Sequence, residues 1–145
     1  MRENTGLYRG KRIDNGEWVF GSLLKVEING VSAWLIFGSE FEVINGQVYS
    51  KEHANVIPET VGQYTGLTDK NGKKIFEGDI AREVWGERVY PKRLVVAMDL
   101  KRGGWFPYAR GDGCGCCEQD VWDDEYTEII GNIHDNPELL TQKNI

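Results

Sequence analysis

The side chains able to do chemistry in this 145-residue sequence gather in three places. Asp69, Glu77 and Asp79 lie close together in a stretch punctuated by Gly66, Gly72 and Gly78. Three carboxylates at such spacing suit a hard cation or acid–base work. The same residue types also serve turns, where a carboxylate accepts backbone N–H bonds that the sheet leaves unmade. Lys70, Lys73 and Lys74 stand between them to neutralise charge, and no histidine is nearby in sequence. The glycines recur every six residues, each read as a point where a strand reverses, so turn capping is the expected role.

The second place is Cys114-Gly115-Cys116-Cys117, which holds every cysteine of the chain. Structural zinc takes two paired ligand sets, as in C-x2-C. Here one set is compressed and the second would have to come from His53 or His134. Adjacent cysteines also pair only with strain, so a glycine-rich loop with reduced thiols is the expected state. No metal and no cofactor are expected. The third place is the histidines themselves, two in all, too few for a typical histidine-based site and neither flanked by a catalytic or metal-binding motif. A phosphate-cradling Gly-x-x-x-x-Gly-Lys-Ser/Thr loop and a Gly-x-Ser-x-Gly nucleophile elbow are both absent, and the chain is not expected to be an enzyme.

These residues must be positioned by strands. The chain has 18 glycines, which penalise helix interiors and serve turns and bulges. Leu7–Ile13 begins as a short strand. Residues 17–25 and 31–37 form a hairpin across Asn29-Gly30, and residues 41–44 and 47–49 another across Asn45-Gly46. Residues 53–57 run into Pro58. Beyond it, 62–76 contains the reversal Asn71-Gly72, and 80–85, 88–100, 105–108 and 126–133 read as strands. Pro91 pushes the start of the 88–100 strand to an edge or bulge. Asn136-Pro137-Glu138 opens a short C-terminal helix, with Asn136 as N-cap.

The fold class expected is mostly β, a β-rich α+β arrangement. Residues 1–60 form an N-terminal small β-sheet or barrel subdomain. Residues 61–145 form a C-terminal SH3-like small barrel with the terminal helix, suggested by the Gly78-Asp79-Ile80-Ala81 strand entry.

Charge and hydropathy narrow the function. Seventeen basic residues against 23 acidic give a net charge of −6, which opposes a broad non-specific grip on nucleic acid. No apolar run approaches the ~20 residues that span a bilayer, so no membrane role is expected. The aromatic count includes five tryptophans. Trp18 and Trp34, in the strongest strands, are expected to fill a core. Trp105 and Trp122 flank the glycine-rich loop and are the candidates for a contact surface. Lys73, Lys74, Arg93 and Arg102 supply the cationic side of that candidate surface. The acidic stretch 118–128 and the basic stretch 88–102 are complementary and favour a head-to-tail contact between copies.

The run Gln63-Tyr64-Thr65-Gly66-Leu67-Thr68-Asp69-Lys70-Asn71-Gly72-Lys73-Lys74-Ile75-Phe76-Glu77-Gly78-Asp79-Ile80 resembles the signature of the YopX family of phage and prophage proteins. Ile130-Gly131-Asn132-Ile133-His134-Asp135-Asn136-Pro137-Glu138-Leu139-Leu140 is similar to that family's closing motif, with His134 where a tyrosine is usual. Tyr8-Arg9-Gly10-Lys11 and Glu17-Trp18-Val19-Phe20-Gly21 resemble its opening. The cysteine cluster falls in a stretch where the family varies. The resemblance implies a phage-encoded accessory protein of the host cytoplasm, homo-oligomeric, with no catalytic residues and no cofactor. Its expected work is binding, through self-assembly or an unknown host or phage protein. The competing expectation is a small-barrel nucleic-acid-binding module that offers aromatics and lysines to single strands.

Overall fold

The computed structural model describes residues 6–89, 93–99, 104–109 and 124–141. The chain is mostly β, built from open sheets, and divides into two compact units, residues 1–64 and 65–145.

The first unit carries β1 (Tyr8–Lys11), β2 (Trp18–Ile28), β3 (Val31–Phe37), β4 (Phe41–Ile44), β5 (Gln47–Ser50) and β6 (His53–Asn55). β2 and β3 form a long antiparallel hairpin, and β1 and β6 pair along its base. Both two-residue hairpin turns form as their Asn-Gly dipeptides require, with φ of 52° and 79° at Asn29 and Gly30 and 51° and 79° at Asn45 and Gly46. A type I′ turn needs positive φ at both positions, and its twist matches the flanking strands. A lone bridge, Arg12 to Val56, ties the chain beyond β6 to the end of β1. Val19, Ile36, Ala54 and Val56 form the core, with Tyr8, Leu23, Trp34 and Val61 packed against it. Trp34 is thus placed as expected. Among the described residues, the β4–β5 hairpin pairs with no other strand and makes a sheet of its own.

β7 (Gly62–Thr68) begins beside β1, with Gln63 opposite Tyr8, and ends in the second unit, where it neighbours β8 (Lys74–Phe76). β9 (Asp79–Trp85) organises that unit. It pairs with β13 (Thr127–Asn132), with β10 (Arg88–Val89) and with β11 (Leu94–Asp99), which also pairs with β12 (Gly104–Ala109). Ile75, Ala81, Leu94, Val96 and Ile129 form this unit's core, with Leu67 against it.

The run read as one strand over 88–100 is two strands. Val89 opposes Val84 and Leu94 opposes Ala81, so five steps along one side meet three along the other. Pro91, which the sequence placed at an edge or bulge, lies outside the described residues. Gly66 was expected at a reversal but sits inside β7, at φ 84°. The C-terminal helix is a single 3₁₀ turn, Pro137–Leu140. Asn136 precedes it but makes no side-chain cap bond. Its Oδ1 instead accepts the Asn132 N–H at 3.2 Å.

Candidate functional site

Two carboxylates of the central motif, Asp69 and Asp79, are structural in their observed contacts. Asp69 is 5% exposed. Its Oδ1 accepts the N–H groups of Asn71 and Lys73, both at 2.9 Å, and its Oδ2 accepts that of Ile129 at 3.0 Å. One side chain therefore closes the β7–β8 turn and anchors β13, sixty positions away. The backbone around it agrees: Asp69 N–H donates to Lys73 O at 2.8 Å and Lys70 N–H to Thr127 O at 2.9 Å. Asp79, 1% exposed, accepts the Phe76 N–H at 2.8 Å and so holds the sharp turn through Gly78. Among the described residues, no three of His, Cys, Asp and Glu gather as a metal site would require.

The closing motif packs on that same turn. Gly78 N–H donates to Val96 O, and Ile133 N–H donates to Gly78 O, both at 2.9 Å. Asn132 lies opposite Asp79 in the ladder. The Asn132 Oδ1 then accepts the N–H groups of His134 and Asp135, a side-chain mimic of a backbone turn. His134 lies over Gly78, its Nε2 3.6 Å from where a Cβ would stand. Two segments some fifty residues apart in sequence thus form one latch around β9 and β13.

The family profile described as YopX protein matches residues 7–141. The chain belongs to the YopX family. Among solved structures, a YopX-family chain is here similar to protein EF1440 from Enterococcus faecalis, at 23% identity and a TM-score of 0.57. That match covers 92% of this chain and 96% of the other, and the likeness is one of fold. No curated protein matches the sequence. The central and closing stretches that carried the YopX resemblance include the residues whose hydrogen bonds join β7, β8, β9 and β13 in the second unit, and the opening stretch forms β1 and the start of β2 in the first.

Of the candidate surface side chains, those of Lys73, Lys74 and Arg93 fall within the described residues. Lys73 and Lys74 are exposed around the β7–β8 turn. Arg93 precedes β11 and is half-buried, and its Nε is buried without a hydrogen-bond partner. Trp105 lies in β12, opposite Met98. The Trp105 side chain, together with Trp122, Arg102 and Cys114, Cys116 and Cys117, lies outside the described residues. The acidic stretch is partly engaged within the chain, since Glu128 bonds Arg82 Nε at 2.9 Å. An aromatic that sequence reasoning passed over is Trp85, 48% exposed and stacked on Tyr126 with centroids 3.8 Å apart.

One hollow, of about 400 Å³, is lined by Arg12, Ile13, Asp14, His53, Ala54 and Asn55. Arg12 grips Asp14 through two bonds of 2.9 and 2.8 Å, and this hydrogen bonding holds the exposed carboxyl below its ordinary range. The cation is thus already engaged, and His53 stacks on Phe37 at 5.6 Å.

The largest unusual feature is apolar. Register puts Leu24 opposite Leu35, Val26 opposite Ala33 and Ile28 opposite Val31 on one face of the β2–β3 hairpin. The opposite face holds the core residues Val19, Leu23 and Ile36, and towards the tip it carries Lys25 and Glu27. Towards the tip, then, the side facing away from the core is the apolar one. Leu24, Ile28 and Val31 are 47%, 65% and 67% exposed. An antiparallel sheet with one wet face ordinarily places polar residues there. The β4–β5 hairpin repeats the anomaly, with Phe41, Val43 and Val48 on one side at 55%, 70% and 68% exposure, and Ile44 and Tyr49 exposed beyond. Contiguous exposed apolar surface of this kind marks an interaction site.

Proposed function

We propose that this YopX-family protein is a phage-encoded accessory protein of the host cytoplasm that acts by binding, through self-assembly, and catalyses nothing. The observation that carries the reading is the apolar outer face of β2–β3 together with the bare β4–β5 hairpin. The motif carboxylates support it from the other direction, because Asp69 and Asp79 are taken up by backbone N–H groups. The Gly78-Asp79-Ile80-Ala81 entry into β9 favours an SH3-like arrangement of residues 61–145 within the same reading.

Nucleic-acid binding is the second reading, favoured by exposed Lys73 and Lys74 and by the Trp85–Tyr126 stack. Against it stand the net charge of −6 and the acids Glu83, Glu87 and Glu125 close in sequence to that stack. Incubating the purified protein with a panel of hydrolase substrates and labelled single-stranded DNA and RNA tests both readings. The expected result is no turnover, and no retention of the strands that persists at physiological salt. Turnover lost in Asp79→Asn with folding retained would overturn the non-catalytic reading, and tight salt-dependent retention would favour the second.

A further inference from the structure

The two uncovered apolar surfaces of the first unit are each two strands wide, and among the described residues nothing covers either one. Each poses a physical problem. A two-stranded hairpin standing alone is marginal in water, and among the described residues β4–β5 pairs with no further strand. The β2–β3 outer face leaves branched aliphatic side chains to solvent where polar ones would be free of cost.

We infer that the β4–β5 hairpin of one copy packs its Phe41, Val43 and Val48 side onto the Leu24, Ile28 and Val31 face of a second copy. This rests on the self-assembly reading and specifies its contact. Charge favours the pairing. The β2–β3 outer face from Ser22 to Phe37 bears no charged side chain, and the hairpin side holds Phe41, Val43, Val48 and Ser50. Lys25 and Glu27 lie on the other face of β2, and Glu42 on the other side of the hairpin, so no charge is desolvated at the centre.

Area favours it too. Six half-exposed or more exposed apolar residues at roughly 100 Å² each offer about 600 Å². A stable interface buries about 1,200–2,000 Å² in total, about two-thirds of it apolar between like subunits. The half-buried Val26, Ala33 and Leu35, on the same face of β2–β3, add to this. Packing the β2–β3 faces of two copies against each other would leave both hairpins bare. Hairpin on face covers both surfaces with one kind of contact. Such a contact is head-to-tail, so it propagates until rotation closes a ring.

The geometry gives a test by mixing. An arm variant, Val43→Lys with Val48→Lys, loses the hairpin side, and a face variant, Leu24→Lys with Ile28→Lys, loses the acceptor. All four positions are exposed, so both full-length variants should keep their thermal midpoints within a few degrees. Should either fail to fold, threonine at the same positions keeps strand propensity and carries the same comparison. Masses are read by light scattering at micromolar concentration. Each variant alone is expected at 16.5 kDa. A one-to-one mixture is expected to form a complex of twice that mass and no larger, since each partner retains one intact surface. An arm variant that still assembles, or a mixture that stays monomeric, overturns the assigned contact while leaving self-assembly standing. A monomeric wild type would instead remove the underlying reading.

Discussion

Replacing Asp69 with alanine should cost the fold about 4 kcal/mol and lower the thermal midpoint by about 10 °C. The carboxylate accepts three backbone N–H groups and is 5% exposed, so its loss strands donors that water reaches poorly. Hydrogen bonds to a charged group contribute about 1.5–3 kcal/mol each, and three on one side chain sum to less than three times that. Asp69→Asn should fall between, at about 2 kcal/mol, because one amide oxygen still serves the turn while the NH₂ faces a donor. Thermal denaturation of the three proteins checks the order. An alanine variant as stable as the parent would mean that the motif aspartate is not the tie between the β7–β8 turn and β13. Total stability is only about 5–15 kcal/mol, so the larger loss approaches unfolding in a marginal chain.

The second large effect belongs to Gly21, in the opening motif of the first unit. A Cβ built there runs into the carbonyl oxygen and carbon of Phe37, which are backbone atoms and cannot swing aside. Gly21→Ala should therefore cost about 3 kcal/mol or more, at the upper end of overpacking penalties. Gly30→Ala is the control. It sits at φ 79° with nothing within 4 Å of the added carbon, so only the left-handed conformation is penalised, at about 1 kcal/mol. Equal losses in the two variants would show that conformation, and not the close approach of β2 to the end of β3, sets the requirement at Gly21.

Much of this was legible in the residues, for reasons that differ by element. Asn29-Gly30 and Asn45-Gly46 announce their hairpins because few other dipeptides tolerate positive φ twice in succession. Asp69 was readable as a turn cap, since its partners Asn71 and Lys73 lie within four positions. Its bond to Ile129 was not, because pattern carries no information about a partner sixty residues away. The reading of β2 stopped at Lys25, where Lys25 and Glu27 end the apolar run on the core side. The strand continues to Ile28 because Val26 and Ile28 keep the alternation on the other face.

That same alternation hid the candidate site. Val19-Phe20-Gly21-Ser22-Leu23-Leu24 is apolar at both parities, so it marks a strand without saying which side faces a core. The expected contact tryptophans, Trp105 and Trp122, have side chains outside the described residues, and the exposed apolar surface of β2–β5 consists chiefly of leucine, isoleucine, valine and phenylalanine. Glu128 belongs to the acidic stretch of the sequence, yet it pairs with Arg82 across the β9–β13 ladder. Charge complementarity between sequence stretches therefore does not by itself identify a contact between copies.

The proposed assembly of this YopX-family chain through its apolar surfaces can be read from its mass in solution. Light scattering on the full chain at micromolar concentration, at low and at high salt, should return a closed multiple of 16.5 kDa. Because the contact is apolar, the multiple should persist or sharpen as salt rises, whereas a charge-driven contact would loosen. A mass of 16.5 kDa at both salt concentrations would contradict the account.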